Sequence, residues 1–282
     1  MIWKIGDRAL ELSSSGCIMG ILNVTPDSFA DGGNFLDHEA AFRHASAMVA
    51  QGAAIIDVGG ESSRPGSDPV ALDEELRRVI PVIRPLRERF PQIFISIDTY
   101  KAVTAKRALE AGADIVNDIT ALRGDPEMAT VVRHTGAGVI LMHMKGSPKT
   151  MQLNPYYSDV VAEVFSFLKD QRDLAVAQGI PMEKIAIDPG FGFGKRLADN
   201  VELARNLDKL VGLGHPIVVG ISKKSPLAQL LGNPKLPFDD RVWPTVAFTS
   251  FLREKGAKIL RVHEVKPNLQ ALRMTEAILA ND

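Results

Sequence analysis

IFISIDTYKAVTAKRALEAGADIVND, residues 93–118, holds a complete folding unit. It opens on an apolar, β-branched run, IFISID (93–98), that ends in a carboxylate. AVTAKRALEAGA (102–113) follows, with apolar residues recurring at three and four, the helix period. Gly112 stands where a glycine closes a helix, and a second run, DIVND (114–118), ends on Asn117 and Asp118.

Working outward, the same alternation fills the chain. CIMGILN (17–23) and AIIDVGG (54–60) precede this unit, and GVILMHM (138–144), KIAID (184–188), PIVVGIS (216–222) and KILRVH (258–263) follow it. Helical spacing recurs in 38–52, 73–90 and 159–179, and Gly52, Gly179 and Gly256 sit at helix-closing positions. Eight buried strands alternating with helices fit an open doubly wound sheet or a closed (β/α)8 barrel. Eight units in 282 residues, with no composition break, linker or low-complexity segment, favour the barrel. The expectation is an α/β fold, a single (β/α)8 TIM barrel domain over residues 1–282.

Composition narrows the function. A hydrophobic share of 45% and a charged share of 24% are ordinary for a globular protein, and a net charge of -1 provides no basic field for nucleic acid. No apolar run is long enough to span a bilayer, and no basic-then-apolar leader precedes Gly16. Cys17 is the one cysteine, which excludes an internal disulfide and a cysteine-based zinc cluster and fits a cytoplasmic location. Its place at the start of a strand reads as a small buried hydrophobe.

A barrel puts its active site at the C-terminal ends of its strands. Those ends carry Asn23, Asp57 with Glu61, Asp98, Asn117 with Asp118, His143, Asp188, Ser222 to Lys224, and Arg261 with His263. Asp and Asn also serve as turn residues and helix caps, which would account for any one of them alone. Together they describe a polar ring around one mouth. Asp98 and Asp188 fall on opposite sides of it, and each needs donors. A flat heterocycle with adjacent ring N–H and NH2 groups supplies two. Asn117 both donates and accepts, and Lys224 suits a ring carbonyl. Paired carboxylates of glycosidase type are the competing reading, but they leave Asn117 and the cations unexplained.

Arg64, Lys224, Arg261 and a protonated His263 form the cation set. Arg261 and His263 share one face of the last strand, in the region where such barrels bind phosphate. Asn23 becomes their neighbour when the barrel closes, and its amide oxygen suits a hard metal that takes few protein ligands. Two loops, 23–35 and 59–69, are long for their class and rich in Gly, Ser, Asp and Pro, as lids are. DPGFGFGK (188–195) has the look of a phosphate loop, yet Pro189 stands where a P-loop needs glycine. It reads as a strand-ending turn presenting Asp188, with Lys195 and Arg196 as solvated loop charges. His143 suits the site or a structural role equally, Asp57 points into the barrel or anchors the second loop, and His38, His44, His134 and His215 receive no role.

Several long motifs occur in order: MGILNVTPDSFADGG (19–33), DVGGESSRPG (57–66), SIDTYK (96–101), NDI (117–119), MHMKGSPKTMQ (142–152), DPGFGFGK (188–195), GISKKS (220–225) and RVHEV (261–265). On these the chain resembles the dihydropteroate synthases of the pterin-binding barrel family, from about Gly16 to its end. The resemblance implies a magnesium-dependent transferase of folate biosynthesis, commonly a homodimer and a sulfonamide target. It implies condensation of 4-aminobenzoate with 6-hydroxymethyl-7,8-dihydropterin diphosphate. By motif position, Asp98, Asn117, Asp188 and Lys224 would grip the pterin. Asn23, Arg64, Arg261 and His263 would serve diphosphate, with Asn23 on the metal. Ser63, Pro65, Phe193, Ser222 and Lys224 would form the aminobenzoate pocket. Thr25, Pro26, Asp27, Ser28 and Phe29 would form the first mobile loop. Asp98, Lys224, Arg261 and His263 would carry the chemistry. Ser63 stands where the family usually has threonine, and SKKSP (222–226) replaces a common SRKSF. The runner-up readings are a methyltetrahydrofolate-dependent corrinoid methyltransferase and a non-catalytic pterin-binding paralogue.

Overall fold

The computed structural model describes residues 1–25, 33–64 and 66–280, without the side chains of 33–37. Pro26, Asp27, Ser28, Phe29 and Pro65 therefore lie outside the described residues.

The chain begins with an element that the strand pattern from Cys17 onward does not include. β1 (Ile2–Ile5) and β2 (Arg8–Glu11) pair antiparallel as a hairpin. The signal is a Gly6-Asp7 turn between short runs, with Gly6 at φ +59. The barrel strands follow: β3 (Cys17–Asn23), β4 (Ile55–Gly59), β5 (Phe94–Asp98), β6 (Ile115–Asp118), β7 (Gly138–Met142), β8 (Ile185–Asp188), β9 (Val218–Val219) and β10 (Ile259–Val262). They pair in parallel in the order β8-β7-β6-β5-β4-β3-β10-β9. A parallel bridge between Ile187 and Ile217 joins the two ends of that order and closes the barrel. The expected seventh strand, 216–222, is regular only at 218–219, with Ile217 adding the bridge to Ile187, because the chain turns after it, with Lys224 N–H donating to Ile221 O at 3.1 Å.

The outer helices are α1 (Gly33–Ala50), α2 (Leu72–Arg89), α3 (Ala102–Glu110), α4 (Met128–Thr135), α5 (Val160–Ala177), α6 (Leu197–Arg205), α7 (Ser225–Leu230), α8 (Val242–Glu254) and α9 (Val265–Leu279). α1 begins at Gly33, so the last three residues of the expected first loop, 33–35, are helical. Gly52, Gly112, Gly179 and Gly256 all take positive φ, as helix-closing glycines do.

Period-two alternation sorts the strand side chains. Ile56, Ile95, Ile97, Val116, Val139 and Leu141 pack outward among helix residues in one large core. Met19, Ile55, Phe94, Ile115, Ile140, Ala186, Val218 and Ile259 fill the barrel floor with Trp3, Ile5 and Leu12 of the hairpin. Cys17 belongs to that floor, and burial lifts its thiol to about 12, as suits a buried hydrophobe. Trp3 is locked by its indole N–H on Lys184 O at 2.9 Å. A Cβ on Gly138 would stand 3.2 Å from the Trp3 ring, so this strand opens on a glycine for close packing. With the floor sealed, the inward positions above it are free for polar groups.

Candidate active site

One register row crosses four strands: Asn23 pairs with Gly59, Gly59 with Asp98, and Asp98 with Asn117. Gly59 has no side chain between two that do. A Cβ there would lie 3.8 Å from Asp98 Oδ2 and 3.9 Å from Asn23 Oδ1. Across the mouth, a Cβ on Gly220 would lie 3.6 Å from Arg261 Cδ and 4.0 Å from Asp188 Oδ2. Bare glycines thus keep the centre of the ring open.

Arg261 spans the ring's floor. Its Nε donates to Asp57 Oδ2 at 2.6 Å, and its Nη2 donates to Asp98 Oδ2 at 2.6 Å. Asp57 is fully buried and points into the barrel, one of its two expected placements. The same Oδ2 accepts from Asn117 Nδ2 at 3.1 Å, while its Oδ1 has no hydrogen-bond partner among the described residues. Two carboxylates share one guanidinium here. Burial pushes Asp98 up to about 7 against the pull of Arg261, with Asp57 pushing it further up. Those carboxylates hold Arg261 firmly cationic.

Asp188 ends β8 and is almost completely buried, and burial raises its carboxyl. Its Oδ1 accepts from Gly190 N–H at 2.7 Å. The glycine turn after it is set by backbone needs. Gly190, Gly192 and Gly194 sit at φ +68, +80 and +63. A Cβ on Gly190 would be 1.9 Å from His143 O, and one on Gly194 would be 2.2 Å from Lys145 O. Five successive carbonyls of the turn are gripped by side chains. Lys195 Nζ takes Gly190 O at 2.9 Å and Phe193 O at 3.2 Å, Lys224 Nζ takes Phe191 O at 2.7 Å, Gln152 takes Gly192 O and Tyr157 takes Gly194 O, each at 2.7 Å.

Lys195 therefore corrects the expectation of a solvated charge. It is 3% exposed, and its third contact is His143 Nδ1 at 2.9 Å. A lysine that saturates its protons on the turn it follows has no need of water. His143 stands edge-on to Phe167, outside the ring, so its role is structural. Arg196 is half exposed and caps α6 with Asp199, as a loop charge would. Lys224 is half-buried, with its ammonium 4.3 Å from the Phe193 ring centroid, and desolvation brings it down to about 7.

Phe193 continues into an apolar wall of Ile119, Met142, Met144 and Met151, with Tyr100 against it. The sequence patterns placed Met142 and Met144 in the strand run 138–144 and assigned no site role to any of the three methionines. Ser63 lines a crevice with Asp98, Thr99, Ile119 and Pro148. Ser222 Oγ accepts from His263 N–H at 3.2 Å and pairs with His263 Nδ1 at 3.0 Å. Burial, with Arg261 and Lys223 nearby, pushes His263 down to about 3, which makes the ring neutral rather than cationic. Phe238, absent from the sequence reading, meets the His263 ring edge-on at 5.3 Å and the Arg64 guanidinium at 5.4 Å. Arg64 itself is exposed.

Other strand-end residues are scaffolding. Asp118 binds the N–H groups of Thr120 and Leu122, supporting a turn with Ala121 and Leu122 at positive φ. Glu61 ties the second loop to Tyr100 and Lys101. A surface recess is lined by Gln152, Asn154, Pro155, Tyr156 and Arg196, none of which belongs to the ring.

Residues 19–263 match the family model for pterin-binding enzymes. A dihydropteroate synthase of Synechocystis is 43% identical over 97% of this chain and 94% of its own length, and one of Escherichia coli is 44% identical over 93% and 92%. The chain belongs to the dihydropteroate synthases. As such it is a transferase of folate biosynthesis. A Yersinia pestis dihydropteroate synthase in a sulfonamide drug complex superposes with a TM-score of 0.92 at 42% identity, covering 99% of this chain and 100% of that one. A Xanthomonas albilineans enzyme with 4-aminobenzoic acid gives 0.92 at 41% identity, covering 99% and 98%. The same organism's enzyme in complex with 7,8-dihydropteroate gives 0.88 at 38% identity, covering 99% of each chain. Among the described residues, no helix is long and apolar enough to cross a membrane.

Proposed function

We propose that this transferase forms 7,8-dihydropteroate inside the polar ring by an SN1-like displacement. The observation that carries the proposal is the pair Asp98 and Asp188, on β5 and β8, with Asn117 and Lys224 beside them and bare glycines at 59 and 220. Asp188 takes the guanidine-like edge of the pterin in two parallel hydrogen bonds, with Oδ1 keeping Gly190 N–H on its other lone pair. Asn117 and Asp98 take the facing edge, and Lys224 takes the ring carbonyl. Ile119, Met142 and Met144 cover the faces of the flat ring.

The bond from the methylene carbon to the diphosphate oxygen breaks, and its electron pair leaves with the diphosphate. The dihydropterin ring shares the positive charge left behind, and ionised Asp98 stabilises it electrostatically. The aminobenzoate nitrogen then donates its lone pair to that carbon and loses a proton. Arg261, Arg64 and His263 receive the departing diphosphate. Its charge opposes the depression of His263 and favours the imidazolium. Ser63, Pro65, Phe193, Ser222 and Lys224 hold the aminobenzoate, the same place a sulfonamide would take. Thr25 to Phe29 and the second loop exclude water that would capture the cation.

The ring fits magnesium in one respect. Asn23 offers a neutral amide oxygen beside the bare Gly59, and among the described residues no three His, Cys, Asp or Glu side chains form a cage. That suits an ion whose other ligands are diphosphate and water. Magnesium held at Asn23 would neutralise charge on the leaving group. The same reading takes residues 1–282 as one pterin-binding domain working in the cytoplasm as a homodimer. Exposed Trp243 and Phe251 on α8 and Met274 and Ile278 on α9 support the pairing surface.

The test gives purified protein 6-hydroxymethyl-7,8-dihydropterin diphosphate and magnesium, with and without 4-aminobenzoate. Expected are 7,8-dihydropteroate and diphosphate together, both lost in Asp98→Ala and Arg261→Ala. Pterin binding without release would mean a non-catalytic relative.

A further inference from the structure

Asp57 is placed to govern two site residues at once. It is fully exposure-free at the centre of the barrel, and a single oxygen, Oδ2, accepts from both Asn117 Nδ2 and Arg261 Nε. A carboxylate only accepts, so the nitrogen of the Asn117 amide must face it. That leaves Asn117 Oδ1 turned away, as an acceptor for a ring N–H. On the other side, Asp57 holds Arg261 by Nε alone. The terminal nitrogens stay outside this contact, and Nη2 rests on Asp98 Oδ2 at 2.6 Å.

Resting on the function proposed above, we infer that Asp57 is a positioning residue, the pivot on which Arg261 passes from Asp98 to the diphosphate. In the geometry described, Arg261 covers Asp98 and compensates its charge. When the pterin edge reaches Asp98, Nη2 is released and meets the diphosphate. Nε remains on Asp57, so the guanidinium turns about a fixed bond and is never lost to solvent. The same carboxylate keeps the Asn117 amide oriented during the exchange. Asp57 touches no substrate in this arrangement and acts through its two neighbours.

The test compares wild type with Asp57→Asn and Asp57→Ala in three measurements: inhibition by inorganic diphosphate, calorimetric binding of 6-hydroxymethylpterin without diphosphate, and steady-state constants for both substrates. Diphosphate affinity is expected to fall about tenfold or more in both variants, since the loss of an orienting partner commonly costs that much. Binding of the diphosphate-free pterin should fall in Asp57→Ala and much less in Asp57→Asn, which keeps an acceptor for Asn117. The KM for aminobenzoate should stay within twofold of wild type, on the same order as ordinary scatter among variants. In an Arg261→Lys background, Asp57→Asn should add little to the loss of diphosphate affinity. A lower melting temperature with all three ligand measurements unchanged would reduce Asp57 to a structural residue and overturn the inference. So would equal losses for diphosphate and aminobenzoate. If the wild type fails to release diphosphate from the pterin substrate, the functional reading itself fails, whereas the two binding measurements still decide the role of Asp57.

Discussion

Ile115 and Asn117, Ala186 and Asp188, and Ile259 and Arg261 stand two residues apart on three strands of one barrel. The lower member of each pair packs against the hairpin in a dry floor with Trp3 and Phe94. The upper member lies in a ring where Asp57 Oδ1 and Ser96 Oγ lack partners among the described residues and where Asp98, Asp188 and Lys224 are all shifted from their ordinary range. One turn of the pleat therefore separates surface burial that stabilises from charge burial that costs stability. The floor contributes to holding the chain folded, and the ring spends part of that stability on groups waiting for a ligand.

Removing a charge from the ring tests this most strongly. Asp188→Asn keeps an acceptor for Gly190 N–H but loses the anion. Two charge-assisted hydrogen bonds at roughly 1.5–3 kcal/mol each imply a fall in kcat/KM of roughly 10²–10⁴. The melting temperature should hold or rise, since a buried charge has gone. Stopped turnover beside a calorimetric melt reads both. A lower melting temperature with activity retained would make Asp188 a stabilising residue and break the contrast.

The floor should answer in the opposite way. Trp3→Ala is expected to cost about 3–5 kcal/mol of stability by leaving a cavity under the barrel. Below its melting temperature, kcat/KM should match wild type. Denaturant unfolding with parallel kinetics would show it. Activity falling while the chain is still folded would couple the two ends of the barrel.

The same contrast marks how far the sequence could be read. Strand ends were legible because period two and the barrel rule place one polar group on nearly every one of them, and Asn23, Asp98, Asn117, Asp188 and Arg261 do converge. The hairpin under the floor was not, although Gly6-Asp7 was a usable turn signal, because four-residue strands carry little periodicity. The neutral state of His263 follows from burial and neighbouring cations that only the closed barrel brings together. Phe238 belongs to the segment between α7 and α8, far in sequence from both Arg64 and His263, and no local pattern points to it. Lys195 looked like a loop charge because a lysine after glycines usually is one. Its burial arises from three consecutive positive-φ turns that curl the carbonyls inward around it.

Lys195 also gives the finest test, since it borders the ring without belonging to it. Burial lowers it to about 7, with Asp188 and Asp199 opposing that fall and Lys224 and Lys145 adding to it. Loss of its proton need break no contact. A neutral amine still donates to Gly190 O and Phe193 O, and it accepts from His143 if that ring carries its proton on Nδ1. His143, pushed down to about 2 by burial and by Lys195, does not take up a second proton. Between about 7 and its ordinary 10.5, the folded chain then holds fewer protons than the unfolded one. Stability must rise with pH across that window. Lys224 and Lys258 are also depressed by burial and act with the same sign. Asp98, raised to about 7, opposes the rise only at the foot of that window, Cys17, lifted by burial from 9.0, opposes it toward the top, and Tyr100 and Tyr157, lifted from 10.0, oppose it higher still. The wild-type melting temperature should therefore climb from pH ~7 to ~9. In Lys195→Met the climb should be shallower but still present, whatever the variant's absolute stability. Equal slopes in the wild type and in Lys195→Met would mean that the turn holds Lys195 charged. Lys195 would then be a fixed cation beside Asp188, and the line between ring and scaffold would move outward to include it.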